Sequence, residues 1–159
     1  MGSRSKVDLA YIAGFLDGDG SLMLQIKKRK DGRLKRRFMP TICLYQDSRH
    51  EQTLTWMRQL LGIGYLSRRN DNITELRING YQQVEKILKM LLPFIRFKKI
   101  QANALYQASK LLSGNAGRRM TENNLRFLVD CILDIQNNNY VTKKKKTRQE
   151  LLKILDLTP

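Results

Sequence analysis

The stretch Ile12-Ala13-Gly14-Phe15-Leu16-Asp17-Gly18-Asp19-Gly20 decides how the rest of this chain is read. From Asp8 onward the pattern is helical, with Leu9, Ile12, Ala13, Phe15 and Leu16 apolar on nearly every side, so the helix is expected to be buried. Ala13 and Gly14 are small enough to let another backbone come close. The helix then ends on two acidic residues interleaved with glycine. That ending runs against the electrostatics of a helix C-terminus, which carries partial negative charge and favours cations. Two readings of Asp17 and Asp19 are open at this point. One is a helix stop that turns into a strand; the other is a pair of carboxylates offset by a divalent metal, with help from main-chain oxygen.

A chain of 159 residues is large enough for one domain with a proper core. Thirty Lys and Arg against 14 Asp and Glu give a formal charge of +16, which points to a polyanion, and to nucleic acid ahead of an acidic membrane surface. No run approaches the ~18 apolar residues of a membrane span, and no secretory signal precedes the fold. Met1-Gly2-Ser3 reads as a cloning remnant. Cys43 and Cys131, with only His50 to join them, make neither a zinc site nor a disulfide framework, and suit an intracellular reducing compartment. A phosphate-cradling Gly-x-x-x-x-Gly-Lys loop and a serine-nucleophile motif are both missing, so no small-molecule cofactor is expected.

Residues 21–29 alternate with period two: Leu22, Leu24 and Ile26 on one face, Met23, Gln25, Lys27 and Arg29 on the other. After a turn at Lys30-Asp31-Gly32, a second strand buries Phe38, Ile42 and Leu44 and turns Lys35, Arg37, Met39, Thr41 and Cys43 outward. Ser48 with Glu51 reads as a capping box opening a helix through Leu61. Strands follow at 65–69 and 73–79, with Leu66, Leu76 and Ile78 inward and Ser67, Arg69, Glu75 and Arg77 outward. Helices then occupy the chain up to Asn139, and Thr147 with Glu150 caps a short last one after the basic run 143–146. This order predicts an α+β fold: one antiparallel four-stranded sheet with helices on one face. The other face carries Gln25, Lys27, Arg29, Lys35, Arg37, Arg69 and Arg77, side chains that suit DNA base edges in the major groove.

The opening stretch resembles the LAGLIDADG motif of the homing endonucleases, with identity at Ala13, Gly14, Asp17, Asp19 and Gly20 and apolar replacements at Ile12, Phe15 and Leu16. Gly18 stands where the motif has Ala. The resemblance implies the family's αββαββα unit with a saddle-shaped sheet, residues 8–139 as the endonuclease domain, 1–7 as an N-terminal tail and 140–159 as a basic C-terminal segment. It implies a metal-dependent, site-specific endonuclease for double-stranded DNA, using Mg2+, with Mn2+ as a substitute and Ca2+ binding without efficient cleavage. Asp19 is then the metal-binding acid, with the Gly18 carbonyl as a second oxygen; Gln46 orients water and Lys98 is the active-site lysine. His50, with Arg49 beside it, stands where some relatives have an active-site arginine. One motif implies a homodimer joined through Ile12, Ala13, Gly14, Phe15, Leu16 and Asp17, with a near-palindromic target. Met23, Gln25, Lys27, Arg29, Lys35, Arg37, Ser67, Arg69, Glu75 and Arg77 form the expected DNA-binding set. An intron-RNA maturase and a non-cutting DNA-binding regulator of the same fold are the alternatives.

Overall fold

Ser5 starts the first helix of the computed structural model, which describes residues 4–159; Met1-Gly2-Ser3 lies outside the described residues. The Ser5 hydroxyl accepts the Asp8 N–H at 3.0 Å, opening α1 (Lys6–Asp19). The expected N-terminal tail is therefore shorter than 1–7, because Lys6 and Val7 are already helical. Arg4 is also fixed. Its guanidinium donates to the carbonyls of Leu60 and Leu61 at 2.9 and 2.8 Å, filling orphan acceptors at the end of the next long helix.

The strands β1 (Gly20–Lys28), β2 (Arg36–Asp47), β3 (Tyr65–Arg68) and β4 (Ile73–Asn79) form one antiparallel sheet in the order β1-β2-β4-β3. Its inner face is Leu22, Leu24, Phe38, Ile42, Leu44, Leu76 and Ile78, all buried. Each such side chain taken from water contributes roughly 1.5–3 kcal/mol. Pro40 sits in the interior strand β2, where a missing N–H is normally costly. It is tolerated because β4 pairing begins only at Thr41, so β2 is a free edge on that side at Pro40. Lys35 departs from the expected strand: β2 starts at Arg36, and Lys35 sits in the hairpin loop at φ 47°. Arg29 likewise lies just past β1 and closes the hairpin by pairing with Asp31 at 2.7 Å.

A single 3-10 turn (Ser48–His50) leads into α2 (Glu51–Leu61). The expected capping box does not form. Long-range partners win: the Ser48 hydroxyl bonds that of Thr74 at 2.8 Å, and the Glu51 carboxylate accepts from Arg68 and Thr74. The helices α3 (Tyr81–Leu91), α4 (Lys99–Gly114), α5 (Glu122–Asn138) and α6 (Arg148–Ile154) complete the inner layer. Thr147 and Glu150 make the expected reciprocal cap of α6. Leu151, Leu152 and Leu155 are buried in the common core, so the end of the chain belongs to the same domain and is no separate basic appendage.

Candidate active site and nucleic-acid face

Asp17 and Asp19 sit two residues apart and have different surroundings. The Asp17 carboxylate accepts the backbone N–H groups of Arg96 (2.7 Å), Phe97 (3.2 Å) and Lys98 (3.0 Å), immediately before α4. These donors lie in the connector that ends at Lys98, the N-cap of α4, and the adjoining helix N-terminus also favours negative charge. The Lys98 ammonium returns the contact, donating to the carbonyls of Leu16 (2.9 Å) and Asp17 (2.8 Å). The last turn of α1 has no basic residue of its own, so Lys98 supplies the cation its C-terminus favours. Burial lowers the Lys98 pKa, while Asp17 and Asp19 pull it back up.

Asp19 ends α1 exposed, and its side chain makes no hydrogen bond among the described residues. Gly20 starts β1 with no room for a side chain: a Cβ there would lie 2.8 Å from both the Cα and the carbonyl oxygen of Leu16. That tight junction aims Asp19 off the end of the helix. Gly20 pairs with Leu44, and Gln46 lies two residues further along β2. The Gln46 side-chain oxygen accepts the Asp47 N–H at 2.8 Å, and its amide NH2 has no partner among the described residues. Arg49 grips Asp47 with one edge of its guanidinium, Nε to Oδ1 at 3.0 Å and a terminal nitrogen to Oδ2 at 2.9 Å, and holds that carboxyl down at a pKa of about 2. His50 is exposed.

The outer face of the sheet follows from the register. Ser21, Cys43, Arg77 and Tyr65 make one row across all four strands; Met23, Thr41 and Asn79 make the next, then Gln25 with Met39 and Lys27 with Arg37. Its middle is closed by its own hydrogen bonds. Thr41 donates to Asn79 (2.8 Å), Ser21 bonds Tyr45 (2.8 Å), and Thr41 and Cys43 are fully covered. On the β3–β4 side, Glu75 is only 7% exposed and bridges Arg69 (3.2 Å) and Arg77 (2.9 Å). Lys27 and Arg37 are exposed cations without an acidic partner among the described residues.

The LAGLIDADG endonuclease family model matches residues 12–104. The chain belongs to the LAGLIDADG endonuclease family. It is 31% identical over 109 residues to the DNA endonuclease I-CvuI of Chlorella vulgaris, spanning 69% of this chain and 68% of that one. Identity to I-CreI of Chlamydomonas reinhardtii is 30% over 99 residues, 62% of this chain and 60% of the relative. The crystal structure of I-CvuI in complex with the I-CreI target in 2 mM Mg, with the DNA not cleaved, superposes at a TM-score of 0.74 and 26% identity over 97% of this chain and 98% of that one. I-CvuI with its own target in 2 mM Ca gives 0.73. The archaeal I-Vdi141I bound to DNA shares the fold at a TM-score of 0.81, with 21% identity over 94% of this chain and 95% of its own.

Against the LAGLIDADG expectation, the structure joins Asp17 and Lys98 directly, and no hydrogen bond among the described residues links Gln46 to Asp19 or Lys98. The expected dimer set divides. Ile12, Ala13 and Leu16 are fully buried in the chain's own core. The face of α1 that remains exposed is Val7, Ala10, Tyr11, Gly14 and Gly18, and a Cβ at Gly14 or Gly18 would meet open space. Apolar character all round α1 hid this division, although the small residues at 10, 14 and 18 recur at helical spacing and could have been read as one stripe. Glu75, expected among the DNA contacts, is instead an internal anchor for two arginines, because a carboxylate between cations on a crowded face is held by both. The partners of Asp17 also escaped the sequence, since they lie some eighty positions away.

Proposed function

We propose that this chain is a homodimeric, divalent-metal-dependent homing endonuclease that cuts both strands of a long, near-palindromic DNA target. The observation that carries the reading is the Asp19 carboxylate, exposed at the end of α1 and without a hydrogen bond among the described residues, where α1 leads into the sheet and its charge acts on Lys98. Asp19 and the Gly18 carbonyl, which Lys98 leaves untouched, offer hard oxygen ligands that suit Mg2+. Among the described residues no cluster of three or more His, Cys, Asp or Glu could hold a metal, so one chain gives only part of such a site. A second α1 across a two-fold axis and the DNA phosphates would complete it. The exposed stripe with Gly14 and Gly18 fits such close helix pairing. The Mg and Ca conditions in which I-CvuI was seen with DNA support a divalent ion here.

When bound, the metal supplies an activated water and stabilises charge on the phosphate. Lys98 places a fixed cation beside that charge, needing no rearrangement during reaction. The free Gln46 amide donates to water near the strand end. Met23, Gln25, Lys27, Arg29, Lys35, Arg37 and Ser67 are the residues proposed to meet bases and phosphates, with Arg69 and Arg77 presented in fixed positions by Glu75. The experiment is a randomised near-palindromic DNA library incubated with protein and Mg2+, beside Asp19→Asn. Cutting at one long symmetric site, lost in the variant, is the expected result. Salt-sensitive binding without metal-dependent cutting would overturn the reading.

A further inference from the structure

We propose that Asp17 is a positioning residue for DNA cutting and acts through Lys98. The proposal rests on the active-site role given to Lys98 above and adds what holds its ammonium in place. Three successive backbone N–H groups, those of Arg96, Phe97 and Lys98, converge on one carboxylate. Such convergence needs the chain to wrap round the acceptor, as it does where a helix is about to begin. From the other side, the Lys98 ammonium binds the carbonyls of Leu16 and Asp17. Each of the two residues is therefore tied to the other's backbone, and the ends of α1 and α4 form a closed clasp.

The two directions of this clasp do different work. The ammonium alone fixes only the tip of a flexible lysine. The carboxylate fixes the root of that side chain, because the Lys98 N–H is one of its three donors. Both Asp17 oxygens are occupied: Oδ1 by Lys98, Oδ2 by Arg96 and Phe97. Asp17 thus has both oxygens engaged by main-chain N–H groups, whereas the Asp19 side chain makes no hydrogen bond among the described residues. Without the carboxylate, three N–H groups lose their acceptor and the lysine root is released toward solvent.

The test is a double-mutant cycle of Asp17→Asn and Lys98→Met, read by single-turnover cleavage of a target recovered from the library. A second reading needs no DNA: backbone amide exchange at residues 96–98. Asp17→Asn is expected to cut about 100-fold more slowly, the scale of a misplacement of about 1 Å. Its amides at 96–98 should exchange faster, and its DNA affinity in Ca2+ should stay near that of the parent. In the Lys98→Met background the same change should cost less than about twofold, because coupled groups are not additive. An equal loss in both backgrounds would overturn the proposal, showing that Asp17 acts independently of Lys98. Unchanged amide exchange in Asp17→Asn would overturn the clasp itself. A parent-like rate in Lys98→Met alone would instead remove Lys98 from the active site, with the exchange result still judging the clasp. Should Asp17→Asn fail to fold, Asp17→Glu keeps the charge and shifts it by one methylene. The same slow cutting and faster exchange are expected there, and parent-like behaviour in both would overturn the proposal.

Discussion

The acidic end of α1 and the outer face of the sheet both meet DNA in the proposed complex, yet they are built on opposite plans. At the helix end, few groups are present and nearly all are tied to main chain: Asp17 to three amides, Lys98 to two carbonyls. On the sheet, many cations are present and they differ by half. Arg69 and Arg77 are held by buried Glu75, whereas Lys27 and Arg37 project freely from the β1–β2 hairpin. A centre that does chemistry needs each group in one place, since its contribution depends on position to a fraction of an ångström. A surface that binds a polyanion can spread the task over replaceable charges, because counterion release depends mainly on how many phosphates are met.

Four substitutions or conditions sharpen this contrast, in order of expected size. Asp19→Asn should slow single-turnover cleavage on the order of 1,000-fold, as loss of a key electrostatic group does. Its DNA affinity measured in Ca2+-free buffer should change little, and a large drop in both would break the division between cutting and binding. Replacing Lys27 and Arg37 together by alanine should lower the slope of log affinity against log salt by about 2, near 0.9 for each lost phosphate contact. The cutting rate of the bound complex should then stay close to the parent value.

Smaller effects are expected where the sheet borrows the rigid plan of the helix end. Glu75→Gln leaves Arg77 with a weakened partner, and urea unfolding should show a loss of roughly 1–3 kcal/mol. Non-specific DNA binding should meanwhile become steeper in salt, because Arg77 is released while Arg69 keeps its pair with Asp71. The smallest change concerns Glu51, whose carboxyl is held down to about 2 from its usual 4.5 by hydrogen bonds from Arg68 and then Thr74. A depressed folded pKa contributes stability that is complete above about pH 4.5 and disappears as pH falls through about 2. Thermal melting across that window should therefore decline less in Glu51→Gln than in the parent, and parallel curves would remove this contact from the acid response.

The elements themselves were legible because their signals are local. Period-two alternation at Leu22, Leu24 and Ile26 gave the first strand and its faces, and helical spacing from Val84 to Leu91 gave α3. The capping box at Thr147 and Glu150 formed as read, whereas the same pattern at Ser48 and Glu51 did not. The difference is competition. Among the described residues nothing distant bonds the Thr147 or Glu150 side chain, but β3 and β4 bring Arg68 and Thr74 against Glu51. That Ile12, Ala13 and Leu16 lie in the chain's own core was not legible, because an all-apolar helix does not say which side faces inward.

The sequence by itself determined the family, the strand-and-helix order, the cationic outer face and the two acids that end α1. These depend on residue types at short spacing, where periodicity and charge are written directly in the chain. Only the tertiary structure decided what surrounds each of the two acids. Asp17 is taken up by residues 96–98, and Asp19 is left free. It also decided that Glu75 is an internal anchor and that the open side of α1 is the stripe from Val7 to Gly18. A carboxylate's role is set by which donors reach it, and here those donors come from parts of the chain that only folding brings together.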